Sequence, residues 1–399
     1  FARRLRYVAA DATAPGGAKP LADELARIEG GEARRLFYFS VAPELYEPLA
    51  AALEESRLAE ERSPQAWRRL VIEKPFGKDA ASARKLNGAI LKRFREEQVF
   101  RIDHYLGKET VQNTLAFRFA NTLFEPLWNS TYIDHVQITA AETVKVGKRA
   151  GYYDKSGVLR DMFQNHLLQV LAIAAMEGPS RFAAGPLRDE KKKLLDAVAL
   201  PTGDDLATAQ YEGYRQEEGV APGSRTPTYA ALKLSIDNWR WRGVPFYLRS
   251  GKALNKRFSE VAIQFRCPPH LMFPLPPGTT LQCNRLSILL QPDEGIRINF
   301  QSKVPDTERF ELRPTGLDFR YKEAYPEAPI PEAYERLLLD ALNGDAALFM
   351  RSDEIERAWE IIDPVVQASE EREPETYAAG SDGPKGADAL LAKDGKAWM

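Results

Sequence analysis

Nine consecutive residues, Arg101-Ile102-Asp103-His104-Tyr105-Leu106-Gly107-Lys108-Glu109, hold the densest set of groups able to do chemistry. His104, Tyr105 and Lys108 can each donate to a phosphate, and Asp103 can orient an imidazole. Taken singly, they read as a capped helix start with a surface Lys–Glu pair. Taken together, where a strand gives way to a helix, they read as a site. Ligands in open α/β sheets bind beyond the carboxyl ends of the strands, and helix N-termini attract anions.

Three further clusters carry similar potential. Glu73-Lys74-Pro75-Phe76-Gly77 follows a buried strand, and its Pro and Gly fix a sharp turn that aims Lys74 at the crevice. Away from a strand end such a lysine would be a solvated loop charge. Arg160-Asp161-Met162-Phe163-Gln164-Asn165-His166-Leu167-Leu168-Gln169 reads as helix. At about 100° per residue Asp161 and Asn165 share a face, whereas His166 lies well around the axis and lines the opposite edge of one pocket. A histidine in an apolar helix is more often a satisfied core residue. Polar groups at 161, 164, 165, 166 and 169 are nevertheless too many for a plain buried helix. The fourth cluster, Arg249-Ser250-Gly251-Lys252-Ala253-Leu254-Asn255-Lys256-Arg257, gathers cations around one glycine and suits a phosphate or a sugar hydroxyl. By itself it reads as a charged turn in water.

The elements that must position these groups come in two kinds. Apolar runs at Leu36–Val41, Leu70–Ile72 and Val99–Asp103 predict buried strands. Helices are expected between them over Pro43–Leu58 and from an Asp79 N-cap to about Glu97. That alternation implies a parallel sheet, with Arg6–Ala9 as the remnant of an earlier strand. After Glu109 come a helix over Lys108–Phe119, a strand over Ile133–Ala140 and a long helix over Gly157–Glu177. Strands then follow at Ala230–Ile236, Val244–Leu248, Val261–Phe265, Leu286–Leu290 and Ile296–Phe300, joined by turns such as Pro274–Gly278. Helices are expected near Pro331–Leu342 and Ser352–Ala368. Strands without intervening helices favour antiparallel pairing. The expected fold is thus α/β plus α+β. A partial Rossmann-type parallel-sheet domain, residues 1–109, precedes a larger domain, 110–399, with a mostly antiparallel sheet.

Composition narrows the function. The 399 residues are 44% hydrophobic and 28% charged, with a net charge of −2. This balance favours neither a nucleic acid nor an anionic membrane, and the longest apolar stretch, Leu167–Met176, is too short to span a bilayer. Cys267 and Cys283 form no C-x-x-C and have no histidine pair nearby, so no metal site is expected and a reducing, cytoplasmic setting is the natural reading. No G-x-G-x-x-G turn follows an early strand. Gly16-Gly17 lies in a loop and Gly30-Gly31 reads as a helix C-terminus.

Taken together, the segments resemble glucose-6-phosphate dehydrogenases. R-I-D-H-Y-L-G-K-E at 101–109 is similar to that family's signature, and E-K-P-F-G at 73–77 precedes it at the expected interval. R-D-M-F-Q-N-H-L-L-Q at 160–169, R-S-G-K-A-L at 249–254, Y-E-R-L-L-L-D-A-L-N-G-D at 334–345 and the tail Tyr377–Pro384 match in order. The resemblance implies oxidation of β-D-glucose 6-phosphate at C1 to 6-phosphoglucono-δ-lactone, the first step of the oxidative pentose phosphate pathway. The hydride acceptor would be NADP, with NAD as the alternative.

Carried over by position, His166 is the general base and Asp103 its partner. His104, Tyr105 and Lys108 hold the phosphate. Lys74 lies between substrate and nicotinamide, with Glu142, Asp161, Lys252 and Arg257 on the sugar side. Tyr46 lies near the cofactor. The resemblance also implies a homodimer or homotetramer assembled through the large sheet. One departure stands out. The family opens with a strand and a G-x-x-G-D-L-A-type turn, whereas Phe1–Ala10 resembles a later strand, so the expectation is a chain lacking one or more βα units. Two rivals remain at this level: an E-K-P-type dehydrogenase of an unphosphorylated sugar, and a non-catalytic sugar-phosphate-binding paralogue.

Overall fold

The computed structural model describes residues 2–273, 275, 280–305, 310–327 and 330–399. The chain enters through α1 (Lys19–Glu29), then alternates β1 (Arg35–Phe39), α2 (Tyr46–Glu55), β2 (Arg68–Ile72), α3 (Ala80–Leu91) and β3 (Val99–Arg101). The three strands form a parallel sheet in the order β1-β2-β3. Leu70, Val71 and Ile72 are all fully buried, which is why β2 reads as an unbroken apolar run with both faces covered.

Asp79 caps α3 as expected. Its Oδ1 accepts from the Ser82 N–H at 2.7 Å, and Ser82 Oγ accepts in return from the Asp79 N–H at 3.2 Å. The helix stops at Leu91, short of the expected Glu97, because Phe94 turns into the core and Gln98 Oε1 draws back the Arg95 N–H at 2.8 Å. The expected strand at Arg6–Ala9 is irregular. It lies beside no described strand, and Tyr7 is 91% exposed, so its backbone stays in water.

Beyond β3 the chain runs through α4 (Glu109–Phe119), β4 (Ile133–Ala141), α5 (Ala150–Val158), a π-helical segment at Leu159–Leu167, α6 (Leu168–Ala175) and α7 (Ala184–Ala197). Next come β5 (Leu206–Tyr211), β6 (Tyr229–Ser235), β7 (Pro245–Gly251), β8 (Phe258–Phe265), β9 (Arg285–Gln291), β10 (Gly295–Lys303) and β11 (Leu312–Arg320). The chain closes with α8 (Tyr321–Ala324), α9 (Ala333–Asn343), α10 (Ser352–Glu371), β12 (Glu375–Tyr377) and α11 (Lys385–Ala392). Nine strands form one sheet in the order β11-β10-β9-β8-β4-β7-β6-β5-β12, antiparallel except where β4 meets β7 and β5 meets β12. The expected turn at 274–278 falls, Leu275 apart, outside the described residues.

Two expectations change here. The long helix over Gly157–Glu177 is interrupted. Gly157 takes φ 66° and ψ 170°, which only glycine adopts easily, and the nine residues after Val158 wind as a π-helix. Second, Cys267 and Cys283 are joined in a disulfide with their Cα atoms 5.0 Å apart. They flank the facing ends of β8 and β9, where the Phe265 N–H donates to Asn284 O at 2.9 Å. Strand pairing, invisible in the spacing, brings them together and removes one ground for a reducing compartment. No helix among the described residues is long and apolar enough to cross a membrane.

The two sheets belong to one packed body. α10 packs on α3 and on the turn that follows β2, where the Trp359 indole donates to Phe76 O at 2.8 Å and Asp363 Oδ2 accepts from the Ala80 N–H at 2.8 Å.

Candidate active site

β3 ends with Arg101, and Ile102 still pairs with β2 through its N–H to Ile72 O at 3.0 Å. The chain then turns. Asp103 Oδ1 accepts from the Tyr105 N–H at 2.9 Å, and Lys108 N-caps α4. Gly107 must be glycine, since a Cβ there would stand 2.6 Å from Ala333 O and 3.0 Å from Leu337. The turn is thereby pressed between the sheet and α9.

The π-helical segment faces this turn. In such a helix the hydrogen bonds run from i to i+5, so the turn is wider than in an α-helix and side chains are rotated away from their 3.6-residue positions. Asn165 Oδ1 accepts from the His166 N–H at 2.6 Å, and Asp161 and His166 lie near enough for their charges to act on one another. His166 Nδ1 donates to Asp103 Oδ1 at 2.5 Å, with both side chains about 1% exposed. This bond fixes the tautomer and leaves Nε2 free. The Tyr105 ring lies nearly parallel to the imidazole, 4.5 Å away, and the His104 ring meets it edge-on at 4.4 Å.

Burial sets the charge states. It pushes His166 below the ordinary histidine range, with the Asp103 carboxylate offsetting part of the shift. Burial opposes ionisation of Asp103, yet the charge and hydrogen bond of His166 hold its carboxyl well below the usual range. His104 is lowered to about 4 by burial and then by His166. Burial lowers Lys108 to about 8, partly offset by Glu294 and Asp103.

The other expected residues gather around this centre. Lys74 Nζ donates to Asp161 O at 2.9 Å and to its Oδ1 at 3.0 Å, holding that carboxyl down against the cost of burial. Lys108 Nζ lies 4.0 Å from the Tyr105 ring centre and donates to Gln291 Oε1 at 2.5 Å. Glu142 and Lys252 form an ion pair because β4 and β7 run parallel with Ala141 opposite Gly251, so the next residue of each strand meets the other. Arg257 is exposed just before β8, near enough for its charge to act on Lys108 and Tyr105. Tyr46 is fully buried, its hydroxyl donating to Glu73 O at 3.0 Å, one residue from Lys74.

Some members carry no signal in the sequence. Ser259 Oγ accepts from Gln291 Nε2 at 2.9 Å and stands 3.4 Å from the Tyr105 hydroxyl, linking Lys108 to Tyr105 through β8 and β9. Serine and glutamine at strand ends are too ordinary to single out. Glu73 was within reach of the sequence, since it shares the strand-end turn with Lys74. It accepts from the hydroxyls of Tyr38 and of Tyr334, whose ring lies within 11° of parallel to His104.

Asp103, His104 and His166 each bring a possible ligand atom within 4.8 Å of the others. Asp103 Oδ1 and His166 Nδ1 are already bonded to one another, so the arrangement is a hydrogen-bonded acid–base pair with a second imidazole beside it. It can take a proton at Nε2 from a bound hydroxyl, with Lys108 and His104 close by as donors to an anion. Among the described residues the early glycines offer no diphosphate cradle: Gly30 caps the C-terminus of α1, and Gly16 and Gly17 precede that helix without following a strand.

Comparison with known proteins identifies the family. Residues 1–113 match the family described as glucose-6-phosphate dehydrogenase, NAD binding domain, and residues 115–399 match its C-terminal domain. A glucose-6-phosphate 1-dehydrogenase from Mycolicibacterium smegmatis is 48% identical over 415 aligned positions, covering 100% of this chain and 82% of that protein. One from Chlamydia muridarum is 45% identical over 92% of this chain and 76% of its own length. A solved glucose-6-phosphate dehydrogenase in complex with its substrate glucose 6-phosphate superposes with a TM-score of 0.90 at 36% identity, covering 98% of this chain and 82% of its own. The Mycobacterium avium enzyme gives 0.86 at 38% identity, covering 100% of this chain and 83% of its own.

Proposed function

This chain belongs to the glucose-6-phosphate dehydrogenase family, and from that premise we propose that it oxidises β-D-glucose 6-phosphate at C1 to 6-phosphoglucono-δ-lactone. The observation that carries the reading is the Asp103–His166 pair, sealed from water beside His104 and Lys108. Neutral His166 takes the C1 hydroxyl proton at Nε2, and Asp103 stabilises the imidazolium that forms. His104, Tyr105 and Lys108 hold the phosphate, and an unphosphorylated sugar would leave those donors without a partner. Lys74, Asp161, Glu142, Lys252 and Arg257 orient the ring.

NADP, when bound, supplies the hydride acceptor. Lys74 is the residue proposed to lie against its nicotinamide end, with Tyr46 acting from behind through Glu73. The described residues fit that end of the cofactor and not its diphosphate, so no step is derived from the latter. Assembly as a homodimer or homotetramer through the large sheet belongs to the same reading, supported by the exposed outer strand β11 with Leu317 60% exposed.

The test is calorimetric titration of the chain with glucose 6-phosphate, glucose and NADP. The reading expects the sugar phosphate to bind and glucose to bind at least tenfold more weakly, since charge-assisted hydrogen bonds to phosphate contribute about 1.5–3 kcal/mol each. A folded chain that binds neither, or binds both equally, would overturn it.

A further inference from the structure

Tyr153 is one of several buried polar side chains without a hydrogen-bond partner among the described residues, and it lies beside the sugar-side charges. It lies on α5, upstream of the Gly157 break, and is 4% exposed. Its hydroxyl is buried without a hydrogen-bond partner. Three neighbouring tyrosines are bonded, whereas the Tyr229 hydroxyl is also without a partner among the described residues. Tyr211 donates to Glu217 at 2.6 Å, Tyr214 to Asp154 at 2.9 Å and Tyr377 to Lys252 O at 2.6 Å. A buried phenol normally finds a partner, and one that does not calls for a reason.

The surroundings supply one. Lys252 Nζ lies 5.8 Å from the Tyr153 ring centre. That ammonium is paired with Glu142, and Asp161 is paired with Lys74. The charged groups around the phenol are therefore engaged with one another. Burial first, and then the charges of Asp161 and Glu142, keep the phenol protonated, so it is a neutral donor.

We infer that the Tyr153 hydroxyl hydrogen-bonds a ring hydroxyl of the sugar bounded by Glu142, Asp161 and Lys252, and so helps to decide which hexose phosphate is accepted. The inference rests on the sugar-phosphate reading above.

The experiment is calorimetric titration of the full chain and of Tyr153→Phe with glucose 6-phosphate and its 2-, 3- and 4-deoxy analogues. A neutral hydrogen bond of ordinary strength corresponds to roughly a three- to tenfold change in affinity. Tyr153→Phe is expected to bind glucose 6-phosphate more weakly by that factor and to lose its discrimination against one analogue only. Unchanged affinity and discrimination would overturn the inference, as would uniform weakening toward all four ligands, which marks a structural role. Wild-type protein binding every deoxy analogue as tightly as the parent would overturn it without any variant. Wild-type protein binding no glucose 6-phosphate would instead fail the functional reading, and the inference would fall with it.

Discussion

Asp103–His166 and Lys191–Glu354 are both sealed from water, the first pair about 1% exposed and the second not at all. Their carboxyls nevertheless move in opposite directions. Burial raises Glu354 despite Lys191 beside it, whereas Asp103 is held low by His166 against the same cost. The bonding explains the contrast. Asp103 also accepts the Tyr105 N–H, and its imidazole partner keeps a second nitrogen open. Lys191 lies 2.8 Å from Glu354 and donates to Gln169 Oε1 at 2.9 Å, so its contacts join α6, α7 and α10 within the core. On the proposed function the first pair passes a proton, whereas the second holds helices together. Burial by itself does not separate the two roles; the free valence does.

The sharpest way to break this comparison is His166→Asn. Turnover of glucose 6-phosphate is expected to fall about 10³- to 10⁴-fold while calorimetric affinity for the sugar phosphate stays within a few fold. A kcat within tenfold of wild type would remove His166 from the chemistry. The matching change in the other pair, Glu354→Gln, should cost about 3–5 kcal/mol in urea unfolding, because Lys191 is left charged and unpaired. Replacing both partners, Lys191→Met with Glu354→Leu, should recover most of that loss. If Glu354→Gln instead shifted the pH profile of turnover, the structural assignment would be wrong.

A third test sharpens the electrostatics. His104 is lowered from 6.5 to about 4, so between those values the unfolded chain binds a proton that the folded chain refuses. Stability therefore falls as pH drops from 6.5 toward 4, by roughly 3 kcal/mol for this group, and is unaffected above that window. His104→Asn should flatten this part of the curve, as read by unfolding at pH 7.5 and pH 4.5. The smallest expected effect is Asp79→Ala, which removes the α3 cap at a cost of about 1 kcal/mol in thermal or urea unfolding without altering affinity for the sugar phosphate.

Legibility varied with how local the cause was. Asp79 as a cap was readable because Ser82, its partner, is three residues away. β2 was readable because a strand buried on both faces needs an unbroken apolar run. β11 was not, since most of its residues are exposed and it shows little buried alternation, and β12 has only three residues. The π-helical segment was misread because apolar spacing does not separate an i+4 from an i+5 ladder over nine residues. Ser259 and Gln291 entered the site through strand pairing alone.

The amino-acid order by itself determined which chemical groups are present and which strand and helix ends carry them: the turn at 103–108, Lys74 after β2, and His166 within a buried helix. It also determined the family, because those groups recur in a fixed succession along the chain. Tertiary structure set how their partners meet, and the Asp103–His166 pairing was available beforehand only through the family resemblance. Asp103 and His166 are 63 residues apart, and parallel register sets Glu142 against Lys252. Strand pairing closes Cys267 on Cys283. The physical reason is common to all three. A pair bonded across the core depends on where two separate elements dock, and local sequence spacing does not encode that distance.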